Sequence, residues 1–372
     1  MKFTIEKAIL LKTLGHVQNI VEKRNTVPVL SNVRIEASND GISFKATDMD
    51  TEITEIVDAK ILENGAITAP AHMLYDIVRK LSDGSEIELA YPDEKEQLSI
   101  SSGRSKFSLS TIGVEDFPVI SADTLPTNFE MNRDELKDVI DRTQFAASTE
   151  ETRYYLNGLY IHPKNEGETK VLRIVATDGH RLACVETPLP DGAADMEGVI
   201  LPRKTVGEIR KLLDDTSAES VQISLSDSKV RFTLADVTLA SKLIDGTYPD
   251  YERVIPTSND KILELNVKDL ATAVDRVSVV AERTRAIKMI ANKNHVIITT
   301  SSPDLGSAIE EIEATYDSES LEIGYNFRYL LDILAEIKGD TAKFSFSDGA
   351  SPSVIHDTSD AGAIYVLMPM RV

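Results

Sequence analysis

The sequence predicts an α+β protein of three similar domains, each a doubled β-α-β-β-β unit. Three observations predict it. One short pattern occurs three times: Phe3-Thr4-Ile5-Glu6 followed by Leu10 and Leu14, Phe129-Glu130-Met131-Asn132 followed by Leu136 and Ile140, and Leu263-Glu264-Leu265-Asn266 followed by Leu270 and Val274. The copies start 126 and 134 residues apart, far beyond the ~20–50 residues of a solenoid unit. A second helical pattern lies midway through each third, at Ala71 to Leu81, Arg203 to Leu213 and Asn326 to Ile337. Finally, 372 residues leave room for three domains of about 100–150 residues each. Pro118, Pro126 and Pro256 interrupt the periodicity, so the expected domains are 1–122, 127–255 and 260–372.

Each element has a local reason. The opening strands alternate apolar residues, Phe3 and Ile5, Phe129 and Met131, Leu263 and Leu265. The following helices carry one apolar face: Ile9, Leu10, Leu14 and Val17, then Leu136, Val139, Ile140 and Phe145, then Leu270, Ala273, Val274 and Val277. Asn132 and Asn266 stand where an N-cap is needed. Val33 to Ala37 and Ile42 to Ala46 alternate around Asn39-Asp40-Gly41, a hairpin signal. Strands at 65–69, 198–201 and 321–324 precede the second helices, and Pro70 and Pro202 sit at two helix starts, where the missing N–H is harmless. Ala-Thr-Asp recurs at 46–48 and 176–178, so Asp48 and Asp178 are expected to share a turn or cap role.

Composition narrows the function. Hydrophobic residues make up 42% and charged residues 27%, as in ordinary globular proteins. The single cysteine, Cys184, excludes a disulfide framework and reads as a buried small apolar residue. No signal peptide or membrane span is legible, so a cytoplasmic protein without membrane contact is expected. The net charge of −21 taken whole argues against nucleic acid. The six helical windows nevertheless carry +5 and the remainder −26. That partition fits a positive surface within a negative body, or simply the helix propensity of Lys and Arg. Asp178 and His180 are the most site-like pair, yet no nucleophile motif, phosphate loop or metal-ligand spacing accompanies them. No catalytic residue, metal or cofactor is expected. The apolar end, Tyr365-Val366-Leu367-Met368-Pro369-Met370-Arg371-Val372, suits either a last core strand or an adaptable Met-lined groove.

Several strings together resemble one family: Ser102 to Thr111 (SGRSKFSLST), Arg153 to Gly158 (RYYLNG), Ala176 to Leu182 (ATDGHRL), Tyr248 to Tyr251 (YPDY) and Met368-Pro369-Met370-Arg371. They are similar to the bacterial sliding clamps, the beta subunit of DNA polymerase III, over the full length. The resemblance implies three DNA clamp domains per chain and a head-to-tail homodimeric ring, with helices lining the hole and sheets outside. It implies a non-catalytic processivity subunit of the DNA-directed DNA polymerase III holoenzyme, a nucleotidyltransferase complex, that encircles double-stranded DNA without sequence preference. Arg24, Tyr154, Tyr155, Arg203 and Lys204 match the DNA-contacting set. Short motifs of the polymerase III alpha subunit, the clamp loader delta subunit, translesion polymerases, ligase and mismatch repair proteins would dock against Leu156, Thr177, Gly179, His180, Arg181, Leu182, Pro249, Arg253, Val254, Asn326, Tyr329, Val366, Leu367, Met368, Pro369, Met370 and Arg371. For the subunit interface, Arg104, Lys106, Phe107 and Leu109 match one face, and Val279, Val280, Glu310, Glu311 and Glu313 the other. His72, Glu150 and Thr284 depart from the family pattern. The competing readings are an enzyme using Asp178 and His180, or a monomeric peptide-binding adaptor.

Overall fold

The computed structural model describes residues 1–22, 26–92, 97–118, 120, 124–167, 169–281 and 283–372, without the side chain of Glu166. The first third runs β1 (Lys2–Glu6), α1 (Lys7–Ile20), β2 (Asn32–Ser38), β3 (Gly41–Thr47), β4 (Thr51–Val57), β5 (Lys60–Glu63), β6 (Gly65–Pro70), α2 (Ala71–Lys80), β7 (Glu86–Ala90), β8 (Gln97–Ser102) and β9 (Ser105–Ser110). The central third runs β10 (Thr127–Asn132), α3 (Arg133–Gln144), β11 (Gly158–Glu166), β12 (Thr169–Thr177), β13 (Arg181–Pro188), β14 (Val199–Pro202), α4 (Arg203–Asp215), β15 (Ser220–Leu225), β16 (Lys229–Leu234) and β17 (Val237–Lys242). The last third runs β18 (Lys261–Asn266), α5 (Val267–Ala281), β19 (Ala286–Asn292), β20 (His295–Ser302), β21 (Gly306–Glu313), β22 (Thr315–Tyr316), β23 (Leu321–Asn326), α6 (Phe327–Ala335), β24 (Thr341–Phe346), β25 (Ser353–Asp357) and β26 (Asp360–Leu367).

The doubled β-α-β-β-β order is present in every third. The two strands outside it, β5 and β22, are short and lie at sheet edges, with little apolar alternation to announce them. The caps form as expected. Asn132 Oδ1 accepts from Asp134 N at 2.9 Å, and Asn266 Oδ1 accepts from Lys268 N at 2.9 Å and Asp269 N at 3.1 Å. Asn326 also caps, accepting from Arg328 N at 3.0 Å, so α6 begins one residue later than the periodicity suggests. Asp48 Oδ1 takes the N–H groups of Asp50 and Thr51, and Asp178 Oδ1 those of His180 and Arg181. The repeated tripeptide thus builds one turn twice.

Strand pairing crosses the halves in a way no local pattern reveals. The opening strand of each half lies in the sheet of the other half: β1 beside β7, β6 beside β2, β10 beside β15, β14 beside β11, β18 beside β24 and β23 beside β19. Contacts divide the chain into two compact units, residues 1–134, 191–193 and 207–243, and residues 135–190, 194–206 and 244–372. The first unit holds the sheets β5-β1-β7-β8-β9 and β10-β15-β16-β17-β4-β3-β2-β6. The second holds β14-β11-β12-β13-β26-β25-β24-β18-β22 and β21-β20-β19-β23. The central third contributes to both because its sheets continue into its neighbours' through the pairs β4–β17 and β13–β26. A row of backbone hydrogen bonds there replaces two open edges. Except for Ile9, expected on the α1 face but 37% exposed, the apolar helix faces are buried, with Leu10, Leu14, Val17, Leu270, Val274 and Leu330 fully inaccessible. Each such side chain contributes about 1.5–3 kcal/mol through burial.

Candidate functional site

The residues expected to take partner peptides come together in the second unit. Their floor is an apolar cluster in which Leu156, Leu182, Val366, Tyr248 and Tyr251 are buried. Leu367 is wholly inaccessible, so it shapes the floor and cannot itself be touched. Around the rim Gly179, His180, Pro249, Arg253 and Arg371 are exposed, as are Val254, Met368 and Met370. Exposed methionines above a rigid apolar floor suit varied apolar side chains.

Arg181 is the node of this region. Its guanidinium lies 4.3 Å from the Tyr329 ring centroid and 5.1 Å from that of Phe145. It donates to Asp332 Oδ2 at 2.5 Å, Asp178 Oδ2 at 3.2 Å and the Phe145 carbonyl at 2.6 Å. Planar donors stacked between two rings are held in one orientation. His180 stacks on Tyr329 at 6.2 Å. Phe145 and Asp332 were not singled out as site residues. Phe145 reads as the end of the α3 apolar stripe, and only the fold turns it toward Arg181.

The chain end is both a strand and a groove lining. Residues 360–367 form β26, and beyond it Met368 N donates to the His180 carbonyl at 2.9 Å and Met370 N to the Gly324 carbonyl at 2.8 Å. Gly324 permits this approach, since a Cβ there would lie 2.2 Å from Met370 O. A groove of about 510 Å³ lined by Lys288, Ile323, Gly324, Pro369, Met370 and Arg371, among others, runs alongside.

The enzyme reading finds no support at Asp178. One of its oxygens holds two backbone N–H groups and the other Arg181, so the carboxylate is committed to the turn. Among the described residues no group of three or more His, Cys, Asp or Glu is placed to hold a metal. Cys184 is buried.

The residues matched by resemblance to DNA contact are partly brought together. Tyr154 and Tyr155 meet edge to face at 5.7 Å on a short 3-10 helix. Arg203 N donates to the Asn157 carbonyl at 2.9 Å, which places the start of α4, with Arg203 and Lys204 exposed, beside that helix end. Arg24 lies outside the described residues. By their observed bounds the six helices carry +3, less than the sequence windows suggest. Several helical cations are also engaged: Lys7 with Asp83, Arg142 with Asp360, Arg210 with Asp214. His72 bonds the Val21 carbonyl at 3.0 Å, Glu150 pairs with Arg153, and Thr284 donates to the Ala281 carbonyl. All three departures from the family pattern have structural partners.

The residues matched to the subunit interface lie on or beside β9 and β21, each of which ends its sheet, and near the end of α5. On β9, Lys106 is exposed, Phe107 is 40% exposed and Leu109 is buried within its own sheet; Arg104 is exposed in the preceding turn. On β21, Glu311 and Glu313 are exposed and Glu310 is gripped by Arg276 at 2.8 and 2.9 Å. The hydrogen bond and charge of Arg276 lower the Glu310 pKa from its ordinary value. Val280 is half-buried beside the exposed Val279. Ile309 is 72% exposed and was missed; its alternation with Glu311 and Glu313 marks it as the apolar member of that face.

A triplicated α+β chain whose successive sheets merge edge to edge has the architecture of a DNA clamp. The N-terminal, central and C-terminal domain patterns of the DNA polymerase III beta subunit match residues 1–121, 130–250 and 252–371. The chain is 50% identical to the beta sliding clamp of Caulobacter vibrioides and 35% to that of Escherichia coli, each over all of both chains. It superposes with a TM-score of 0.97 on a solved Caulobacter crescentus clamp, 50% identical, covering 100% of this chain and 99% of that one. With the Bartonella birtlesii clamp bound to griselimycin the TM-score is 0.96, at 48% identity and full coverage of both chains. The chain belongs to the bacterial beta sliding clamps, the processivity subunits of DNA polymerase III.

Proposed function

We propose that two copies of this chain close head to tail into a ring around duplex DNA, with β9 of one copy paired to β21 of the other. The observation that carries this is the edge pattern. Within each chain the last strand of a first half pairs with the last strand of a second half from the neighbouring third, as β4–β17 and β13–β26. By the same rule β21 and β9, which end their sheets, are each other's partners in a second copy. Arg104 and Lys106 then face Glu311 and Glu313, Glu310 is buttressed by its own Arg276, and Phe107, Val279, Val280 and Ile309 supply apolar burial. A heterologous contact whose rotation closes gives a ring, and opposed charges set its register.

Inside the ring, Tyr154, Tyr155, Arg203 and Lys204 contact phosphate. Such contacts give affinities of only about 10⁻⁴–10⁻⁶ M at physiological salt, which suits a protein held by topology and free to slide. The groove around Arg181, Tyr329 and Met368 takes short apolar motifs from the polymerase III alpha subunit, the loader delta subunit and other clamp-binding proteins in the cytoplasm, as part of the nucleotidyltransferase holoenzyme. The test is retention after loading by the cognate loader on nicked circular DNA and on the same DNA linearised. Retention on circles with loss from linear ends is expected. Equal, strongly salt-dependent retention on both refutes enclosure.

A further inference from the structure

Behind the groove, one buried cation holds the turn that forms a wall of it. Arg173 on β12 is 7% exposed. It lies across from Glu186 on β13 and grips that carboxylate with Nε, at 2.8 Å, and with Nη2. Its Nη1 reaches the 248–254 turn, donating to the Tyr251 hydroxyl at 3.2 Å and to Glu252 Oε1 at 2.9 Å. Lys164 donates to the same oxygen. The Pro163 carbonyl can only accept, so His162 Nδ1, 3.0 Å away, carries the ring proton. His162 Nε2 is therefore the acceptor for the Tyr251 hydroxyl at 2.8 Å. The bonds run in one direction, from Arg173 to Tyr251 to His162 to Pro163. Tyr160 stacks on Tyr248 at 4.7 Å and 6° and on His162 at 4.8 Å, closing the other side. The inner residues of the turn join the floor cluster, while Pro249, Arg253 and Val254 face outward and are exposed.

We propose that Arg173 is a positioning residue for the partner groove: through Tyr251 and Glu252 it fixes the turn that carries Pro249, Arg253 and Val254, and so sets how tightly a ligand is held. The inference rests on the groove reading above. Arg173 itself is buried, so its influence passes through the turn. A wall ordered before binding spares the ligand that ordering cost. A buried ion pair adds little net stability compared with apolar packing, whereas its directional donors fix geometry.

Griselimycin, held by the Bartonella clamp, is the probe, and calorimetric titration reads its affinity. Tyr329→Ala/Met368→Ala alters the groove directly. Tyr251→Phe removes one hydroxyl and keeps the core ring; Arg173→Lys keeps the charge and loses the fork. Loss of binding in the direct variant, with about 5- to 10-fold weakening in the other two, is expected. Wild-type affinity in Tyr251→Phe and Arg173→Lys, with binding lost in the direct variant, overturns this inference and leaves the groove reading standing. Unchanged binding in the direct variant overturns both.

A pH profile separates positioning from bulk stability. His162 is faced by Lys164 from its own strand, Arg173 from β12, and Tyr251 and Glu252 from the turn. Burial, with the charges of Arg173 and Lys164, holds it below the usual histidine value. Its protonation turns Nε2 from acceptor to donor and breaks the chain. Wild-type affinity therefore falls as pH drops through the His162 value, which lies below that of an ordinary histidine, and Tyr251→Phe lacks that step. A flat wild-type profile, or the same step in Tyr251→Phe, counts against the inference.

Discussion

Replacing Arg181 with Met tests the node of the groove. The substitution keeps most of the side-chain length and removes the guanidinium. It abolishes two cation–π contacts, at 4.3 and 5.1 Å, worth about 1 kcal/mol each. It also removes the charged partner of Asp178, which keeps its two backbone N–H donors and whose side chain is 15% exposed against 10% for Arg181. Removing one member of a pair this buried costs about 3–5 kcal/mol, because the remaining charge keeps its desolvation penalty. Asp332, 46% exposed, regains water and adds less than about 1 kcal/mol. These losses overlap, since one truncation causes them all, so the expected total stays near 3–5 kcal/mol. At about 2 °C per kcal/mol for a large chain, differential scanning calorimetry should show a melting transition lowered by roughly 6–10 °C. A transition within about 1 °C of wild type would show that Arg181 is not the structural node described here.

Three further outcomes are expected. Phe107→Asp places a charge on an exposed edge residue, so sedimentation velocity should show dimer converting to monomer while the monomer's melting temperature stays near wild type; an intact dimer contradicts the β9–β21 interface. Burial alone would lower the His16 pKa, but hydrogen bonds and charge from Glu55 and Asp215 raise it above 6.5. Stability from this cluster is thus complete below about 6.5 and fades as pH rises through the folded-state value, so urea midpoints of wild type and His16→Gln should converge with rising pH. Gly324→Ala puts a Cβ 2.2 Å from Met370 O, so the last residues should leave β23 and carboxypeptidase should trim them faster, with the wild-type rate refuting the assignment.

Much of the fold was legible because it rests on local chemistry. The strand–helix repeats follow from apolar spacing, the helix starts from Asn132 and Asn266, and the paired turns from Ala-Thr-Asp. Those features depend on residues within a few positions of one another. The groove was legible only by resemblance, since its members come from segments as distant as Leu156 and Arg371. Phe145, Asp332 and Ile309 escaped notice because nothing near them in the chain distinguishes a core aromatic, a helix carboxylate or an edge isoleucine from a functional one. The charge partition was overstated because the window over α4 stopped at Leu213, short of Asp214 and Asp215 on the same helix.

By itself the sequence determined a triplicated α+β chain, its doubled β-α-β-β-β order, the caps at Asn132 and Asn266 and its family, since propensity, periodicity and motif are properties of neighbouring residues. Only the tertiary structure decided which sheet each opening strand joins, where the sheets of successive thirds merge, and that β9 and β21 remain open. Backbone hydrogen bonds between strands are the same for any sequence, so pairing is chosen by which long-range arrangement buries the most apolar surface. That choice can be read only once the whole chain has folded.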